Sequence, residues 1–503
     1  MLRKIRIVVS VFIFSILSLY LLDFADLLPM QFHAVAQLQF LPALLNLNVA
    51  VLVGVLVATL LFGRIYCSSV CPLGVYQDVV NFISRKLRKK KRFKFRKAQT
   101  VLRWLFVGIT LAAFVAGFTF LVGFLDPYSA FSRMAVHVFK PIYMAGNNLL
   151  ETIFSSFDNH TFYATSLYLA SAFSLIVALV TLLGVGVMAA LNGRDYCNTI
   201  CPVGTVLGFF SKYALLKIRI DEHKCNSCGS CGRNCKASCI DTKNHKIDYS
   251  RCINCFDCLD VCSQKAMSFR YGMVKNTPPK VDKSKRTFLL AMGGVGVAAG
   301  QVVASNVLPL ASSSTNKAKR QVPISPPGSM SHSNLMHKCT SCHLCVTKCP
   351  QQIIQPAFTE YGLAGIMQPV LSFERGFCNY DCTLCSDVCP TGAISALTKE
   401  AKHSTQTGIV HFIRENCIVV TDNTNCGACS EHCPTQAVSM VPYVDGLDIP
   451  FTKTDICVGC GGCEYVCPAA PHKAIYVEGI PTHASITLVA DKVEDVKVDD
   501  FGF

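Results

Sequence analysis

Long apolar runs fill the first two hundred residues, and short cysteine-rich polar loops fill most of the remainder. Residues 7–22 are apolar after a basic start, as expected of a first membrane span with its amino terminus inside. The runs 43–62, 104–125 and 162–191 predict three more spans. Residues 126–160 carry few charges and are expected to lie outside. A fifth, Gly/Ala-rich run within 281–311 reads as another helix, and the Ser-, Pro- and Lys-rich residues 312–335 read as a linker.

Charge settles which face the loops occupy. The net charge is +15, and it peaks between Arg85 and Lys97, directly after the second run. A juxtamembrane basic run marks a cytoplasmic face, and no domain-wide basic surface speaks for nucleic acid. The second and fourth runs each lead into a copy of one pattern, G-R-x-Y-C-x3-C-P-x-G, and the copies lie 130 positions apart. An even number of crossings separates them, so Cys67, Cys71, Cys197 and Cys201 are expected at one face. Thiols at i and i+4 share a helix face. Pro72 and Pro202 are expected to break the helix after each pair. Four converging thiolates match the ligand count of one Fe–S cluster or one tetrahedral metal ion, which predicts an iron-based centre there.

The remaining cysteines give the clearest chemistry. Of 29 in the chain, 24 fall into six quartets. Cys225, Cys228, Cys231, Cys235 and Cys252, Cys255, Cys258, Cys262 have the C-x2-C-x2-C-x3-C spacing of a two-cluster ferredoxin. Because the last Cys of each run ligates the other cluster, one site takes Cys225, Cys228, Cys231 and Cys262. The other takes Cys252, Cys255, Cys258 and Cys235, with Cys239 as a weaker candidate than Cys235. Four further quartets are Cys339, Cys342, Cys345, Cys349; Cys378, Cys382, Cys385, Cys389; Cys417, Cys426, Cys429, Cys433; and Cys457, Cys460, Cys463, Cys467. Each ends in Cys-Pro, the second has a three-residue first gap and the third an eight-residue one. The spacing leaves open whether these four pair consecutively or in nested order. Six [4Fe-4S] clusters are expected. A disulfide framework belongs to short secreted chains and has no use for such regular spacing. Cys339 to His343 also fits a c-type haem attachment pattern, but the full quartet with Pro350 explains more residues.

The predicted fold class is an α-helical membrane domain, four transmembrane helices in two repeated pairs plus a fifth, with α+β ferredoxin-like domains. The expected organisation is a membrane domain at 1–204, a cytoplasmic two-cluster ferredoxin at 205–280 and a fifth helix at 281–311. The linker at 312–335 then leads to a periplasmic four-cluster domain at 336–503. Within 281–311, Lys285-Arg286 with the Phe and Leu beyond them reads as a twin-arginine-like export signal retained as an anchor. Asp126, Arg133 and His137 lie near the outer end of the third run. They read as interfacial polar residues in a loop, with a quinol site as the sharper alternative.

On the two G-R-x-Y-C-x3-C-P copies, the apolar runs and the two-cluster quartets, residues 1 to about 280 resemble the NapH-type membrane ferredoxins of periplasmic nitrate reductase systems. From Lys283 on, the chain is similar to the NapG/MauM-type exported four-cluster ferredoxins. The resemblance implies a natural fusion of the two types in a bacterial inner membrane. It further implies a quinol dehydrogenase component that exchanges electrons between the quinone pool and a periplasmic cytochrome c or metalloreductase. A role in assembly or metal reduction for a periplasmic metalloenzyme is the alternative.

Overall fold

The computed structural model describes residues 1–23, 27–87, 93–165, 170–271 and 320–486. The expected fifth helix and its twin-arginine-like pattern lie outside the described residues. Four helical columns carry the apolar runs: Leu2–Leu22, Val49–Phe62, Thr100–Val115 continued by Thr119–Leu125, and Ala172–Asn192. Among the described residues, Leu2–Leu22 and Ala172–Asn192 are long and apolar enough to cross a membrane. Side chains of Asn48 and Ser171 cap the starts of the second and fourth columns, accepting from the Val51 and Ser174 N–H groups. Gly63 and Gly193, both at positive φ, end them.

The columns are shorter than the hydropathy pattern predicts. The run 43–62 is broken where Leu47 adopts a φ of 52°, and the run 104–125 where Gly117 adopts 78°. Within the run 162–191 the described helix spans Ala172–Asn192. A larger departure is the stretch 126–160. It forms a helix, Pro127–Met134, a π-helical turn, Ala135–Phe139, and a second helix, Lys140–Ser155. Its first half is buried from Tyr128 to His137, so this is not an interfacial loop.

The columns run between two cysteine-rich units. At one end Arg3 pairs with Asp257 and Asp260, Phe62 O accepts from Asn254, Arg103 bonds Ser250, and Lys236 O accepts from Arg194 N just past Asn192. At the other end Asp23 pairs with Lys348, Thr119 bonds Met336 O, and Phe173 packs edge-on against Phe358. The unit built on residues 216–271 thus caps one end of the helical body, and the unit built on 320–486 caps the other.

After Phe62 and again after Asn192 the chain turns back into the body. Short helices, Ile65–Ser69 and Asp195–Thr199, lead to each cysteine pair. Pro72 and Pro202 then open the next helices, Pro72–Leu87 and Pro202–Ser211. The prolines do not merely stop a helix; their fixed φ suits the first helical position. Tyr76 donates to Leu182 O at 2.9 Å and Ser84 to Ala190 O at 3.2 Å, so Pro72–Leu87 retraces the fourth column outward. The cysteine pairs sit at the inner tips of two re-entrant hairpins.

Both caps have little regular structure. The smaller pairs Leu216–Ile220 with Met267–Tyr271, antiparallel, with Ile218 opposite Phe269. The larger has three two-stranded ribbons, the longest joining Thr405–Phe412 to Ile475–Ser485. Their cores are cysteine sulfur wrapped by aliphatics. One apolar core runs unbroken from Cys258 and Ile218, through Cys67, Cys71, Cys197 and Cys201, to Phe131 and Leu344.

Candidate functional site

The ferredoxin loops are shaped to wrap something. In four of them the residues just before and after the second cysteine take positive φ. These are Ser227 and Gly229 around Cys228, Asn254 and Phe256 around Cys255, Ser341 and His343 around Cys342, and Gly459 and Gly461 around Cys460. Non-glycine residues adopt this conformation only where the surroundings over-determine it. Here it curls each loop around a common centre. The two quartets with enlarged first gaps, at 378–389 and 417–433, lack that pair of left-handed residues.

In each pair of quartets the last cysteine lies beside the first three of the other quartet. A cavity is lined by Cys225, Cys228, Cys231 and Cys262. A second is lined by Cys252, Cys255 and Cys258 with Cys235, and a third by Cys378, Cys382 and Cys385 with Cys349. Cys339, Cys342 and Cys345 lie within electrostatic reach of Cys389. Cys429 lies so with Cys426 and Cys467, as does Cys417. Cys457, Cys460 and Cys463 lie so with Cys433. The last four quartets therefore pair consecutively. The two pairs are joined where Cys378 N donates to Cys460 O at 2.9 Å. Burial pushes the Cys429 and Cys460 thiols up to about 12. Such thiols stay protonated in an apolar site and lose the proton to a bound metal.

Cys239 also lines the second cavity, its sulfur 3.5 Å from that of Cys235. A hydrogen bond from Cys239, helped by backbone N–H groups of Cys239, Ala237 and Ile240, draws Cys235 down to about 7 against its burial. Of the two thiols, Cys235 is the one lowered and Cys239 the one raised.

The two re-entrant tips meet at a pseudo-twofold axis, and their contacts are exchanged between copies. Arg64 donates to Cys197 O at 3.1 Å and reaches the Cys67 sulfur at 3.8 Å. Arg194 donates to Cys67 O at 2.7 Å. A Cβ at Gly74 would collide with the Cys67 carbonyl and the Arg194 guanidinium; one at Gly204 would collide with the Cys197 carbonyl and Arg64. Gln77 donates to the Cys197 sulfur at 3.1 Å, and Gly204 N to the Cys201 sulfur at 3.3 Å. All four cysteines are buried, and Cys201 lies within electrostatic reach of the other three. Among the described residues, no three Cys, His, Asp or Glu donors gather as tightly as a single metal ion requires, and this holds for the ferredoxin quartets as well. Arg64 is fully buried, and its partners are Asn198, Ser250 O, Cys197 O and a thiol, with no carboxylate among them. A buried cation without a carboxylate needs another anion, and a thiolate-bound cluster is one. The donor set fits an iron–sulfur group.

Asp126, Arg133 and His137 come together at the joint between the helical body and the 339–345 loop. Asp126 accepts from Ser129 N and Oγ at 2.7 and 2.8 Å, and Ser129 Oγ meets Thr340 Oγ1 at 2.9 Å. Ser132 donates to Cys342 O at 2.7 Å and Arg133 to Ser341 O at 3.1 Å. His137 Nε2 lies 2.6 Å from His343 Nδ1, and His343 Nε2 donates to Met367 O at 2.9 Å. With both nitrogens engaged, His343 has no lone pair left for a haem iron. Tyr196, next to Cys197, donates to Leu125 O at 3.0 Å, next to Asp126. One hydrogen bond thus spans the gap between the paired-cysteine tips and the joint.

Asp78 carries no motif that would mark it in the sequence, yet it anchors the tips. It pairs with Arg194 at 2.8 Å, Arg6 at 3.1 Å and Lys236 at 3.1 Å. Lys236, which comes directly after Cys235, also holds Asp257 at 3.1 Å. The sequence hints at the arginines only through the G-R that opens each repeat.

A 4Fe-4S binding domain family matches residues 47–90 and 174–221, the two re-entrant hairpins. Two 4Fe-4S dicluster domain families match residues 338–394 and 424–470. An uncharacterized protein of Methanocaldococcus jannaschii is 40% identical over 82 residues, 16% of this chain and 32% of that protein. The ferredoxin-type protein NapH of Haemophilus influenzae is 28% identical over 239 residues, 46% of this chain and 69% of that protein. The methylamine utilization ferredoxin-type protein MauN of Methylobacillus flagellatus is 26% identical over 220 residues, 42% of this chain and 64% of that protein. The chain thus spans from about a third to about two thirds of the length of these relatives. No solved structure matches. Loop geometry, thiol grouping and these likenesses agree that the chain carries several 4Fe-4S binding domains and is similar to the ferredoxin-type proteins NapH and MauN.

Proposed function

We propose that this chain is a membrane-bound electron conduit, a fusion of a NapH-like membrane ferredoxin with a NapG-like four-cluster ferredoxin. It links the quinone pool or the cytoplasmic side to a periplasmic cytochrome or metalloreductase. The observation that carries the reading is the single file of cysteine groups. It starts at the exposed Cys228 loop and passes the Cys235/Cys252 site and the re-entrant tips. It continues through the Cys342 loop, the Cys349/Cys378 site and the Cys433/Cys460 site to the Cys417/Cys467 site. Loaded with iron and sulfide, such sites supply one-electron carriers whose potentials depend on hydrogen bonding, charge and exposure.

The six ferredoxin sites would take the cysteines grouped above, and Cys67, Cys71, Cys197 and Cys201 would hold a seventh centre. Arg64 and Arg194 flank that centre; Arg64 balances its charge, while Arg194 is held by Asp78. Asp126, Ser129, Ser132 and Arg133 lock the first loop of the larger cap onto the body, so the gap there keeps a fixed width. The Ser129 and Ser132 hydroxyls and the Arg133 Nη1 are spent on that joint, which favours positioning over proton chemistry. The smaller cap is assigned to the cytoplasm, on the side of the basic run, and the larger to the periplasm. Protease added to spheroplasts tests this: it should remove the larger cap and spare the smaller. Protection of both caps contradicts the topology.

A further inference from the structure

Beside the Cys235 loop lies a cavity of about 90 Å³ that electron transfer does not use. Arg96, Lys97, Arg194, Lys236 and Arg251 line it with Asp195; Arg194 and Lys236 also share Asp78, Lys236 holds Asp257 and Arg251 holds Asp248, which leaves the cations in excess with Lys97 at the rim. Asp195 already meets Arg96 at 3.5 Å. Arg194 is 1% exposed, and its Nη2 has no partner among the described residues. The walls come from three parts of the chain. The strap 93–99 is tied down by Arg96 N donating to Ser238 O; the other walls are the end of the fourth column at Asn192 and the loop after Cys235.

We propose that this cavity binds the phosphate group of an anionic ligand, either a phospholipid headgroup or a free phosphate. Cationic pockets between helix ends at the cytoplasmic leaflet suit anionic headgroups. The volume is well above what a single water needs and admits a phosphate group. A bound phosphate would bridge strap, column and Cys235 loop, pinning the smaller cap to the helical body. The choice of a lipid source rests on the membrane reading above; the anion site does not.

The test uses the full chain in detergent, with inorganic phosphate titrated calorimetrically and anionic or zwitterionic phospholipid added in parallel. Arg96→Gln with Lys97→Gln removes two rim charges, and Asn192→Asp places an acid in the wall without changing its shape. Lys243→Gln with Lys246→Gln, exposed and outside the cavity, is the control. Phosphate should bind wild type and control alike, and roughly tenfold or more weakly to either cavity variant. Displacement of phosphate by anionic but not zwitterionic lipid assigns the site to a headgroup; indifference to both assigns it to free phosphate. Wild type that binds neither phosphate nor anionic lipid, or cavity variants that bind as well as wild type, overturns the proposal.

Discussion

The two repeat halves place identical chemistry around the same axis and differ in how their arginines are balanced. Arg64, Tyr66, Cys67, Cys71 and Gly74 correspond, 130 positions on, to Arg194, Tyr196, Cys197, Cys201 and Gly204. Four positions beyond the glycines, the first copy has Asp78 and the second Gly208. Asp78 neutralises Arg194 and ties it to Arg6 and Lys236. Gly208 instead gives room: a Cβ there would come within 2.7 Å of the Arg103 guanidinium. Arg64 is left without a carboxylate. Symmetry at the thiols therefore coexists with asymmetry in charge. One arginine is held by the protein, and the other keeps its charge for whatever the four cysteines hold.

Breaking the shared part should have the largest effect. Cys67→Ser with Cys197→Ser should remove one spectroscopic centre while the six ferredoxin sites keep about 24 iron atoms. An unchanged iron count and spectrum would mean the tips hold no centre. Next in size is the charge difference. Asp78→Asn takes the shared acid from three buried cations and should destabilise the chain by about 3–5 kcal/mol, read as a lowered unfolding midpoint. Arg64→Gln should instead spare stability more and loosen the seventh centre, read as faster iron loss to a chelator. If both variants behaved alike, the asymmetry would carry no meaning.

Much of this is legible in the sequence because it is local. The x2-x2-x3 spacing, the crossover of each last cysteine and the repeated G-R-x-Y-C-x3-C-P pattern depend on neighbours a few residues apart. Column ends are not legible, because a hydropathy window cannot see the left-handed turns at Leu47 and Gly117. Nor are the partners of Ser129, Arg133 and His137, which lie some two hundred residues away at Thr340, Ser341 and His343. Spacing leaves the pairing of the last four quartets open; the contact between Cys378 and Cys460 arises from how the two pairs fold together within one unit.

Smaller effects sharpen the comparison further. Gly74→Ala and Gly204→Ala should each cost about 1–3 kcal/mol through overpacking, and by similar amounts, because both glycines admit the opposite copy's arginine. A large inequality between them would deny the pseudo-twofold contact. Smallest is Cys239→Ser, which keeps a donor beside Cys235. It should leave all iron in place and shift only the potential of the Cys235/Cys252 site. Loss of that cluster would make Cys239 a ligand.

Electron passage across the helical body through the re-entrant cysteine pairs is tested most directly in proteoliposomes, with a membrane-impermeant reductant outside and an electron acceptor sealed inside. Wild type should reduce the acceptor, and Cys67→Ser with Cys197→Ser, its six ferredoxin sites intact, should not. Equal rates in the two proteins would contradict the account.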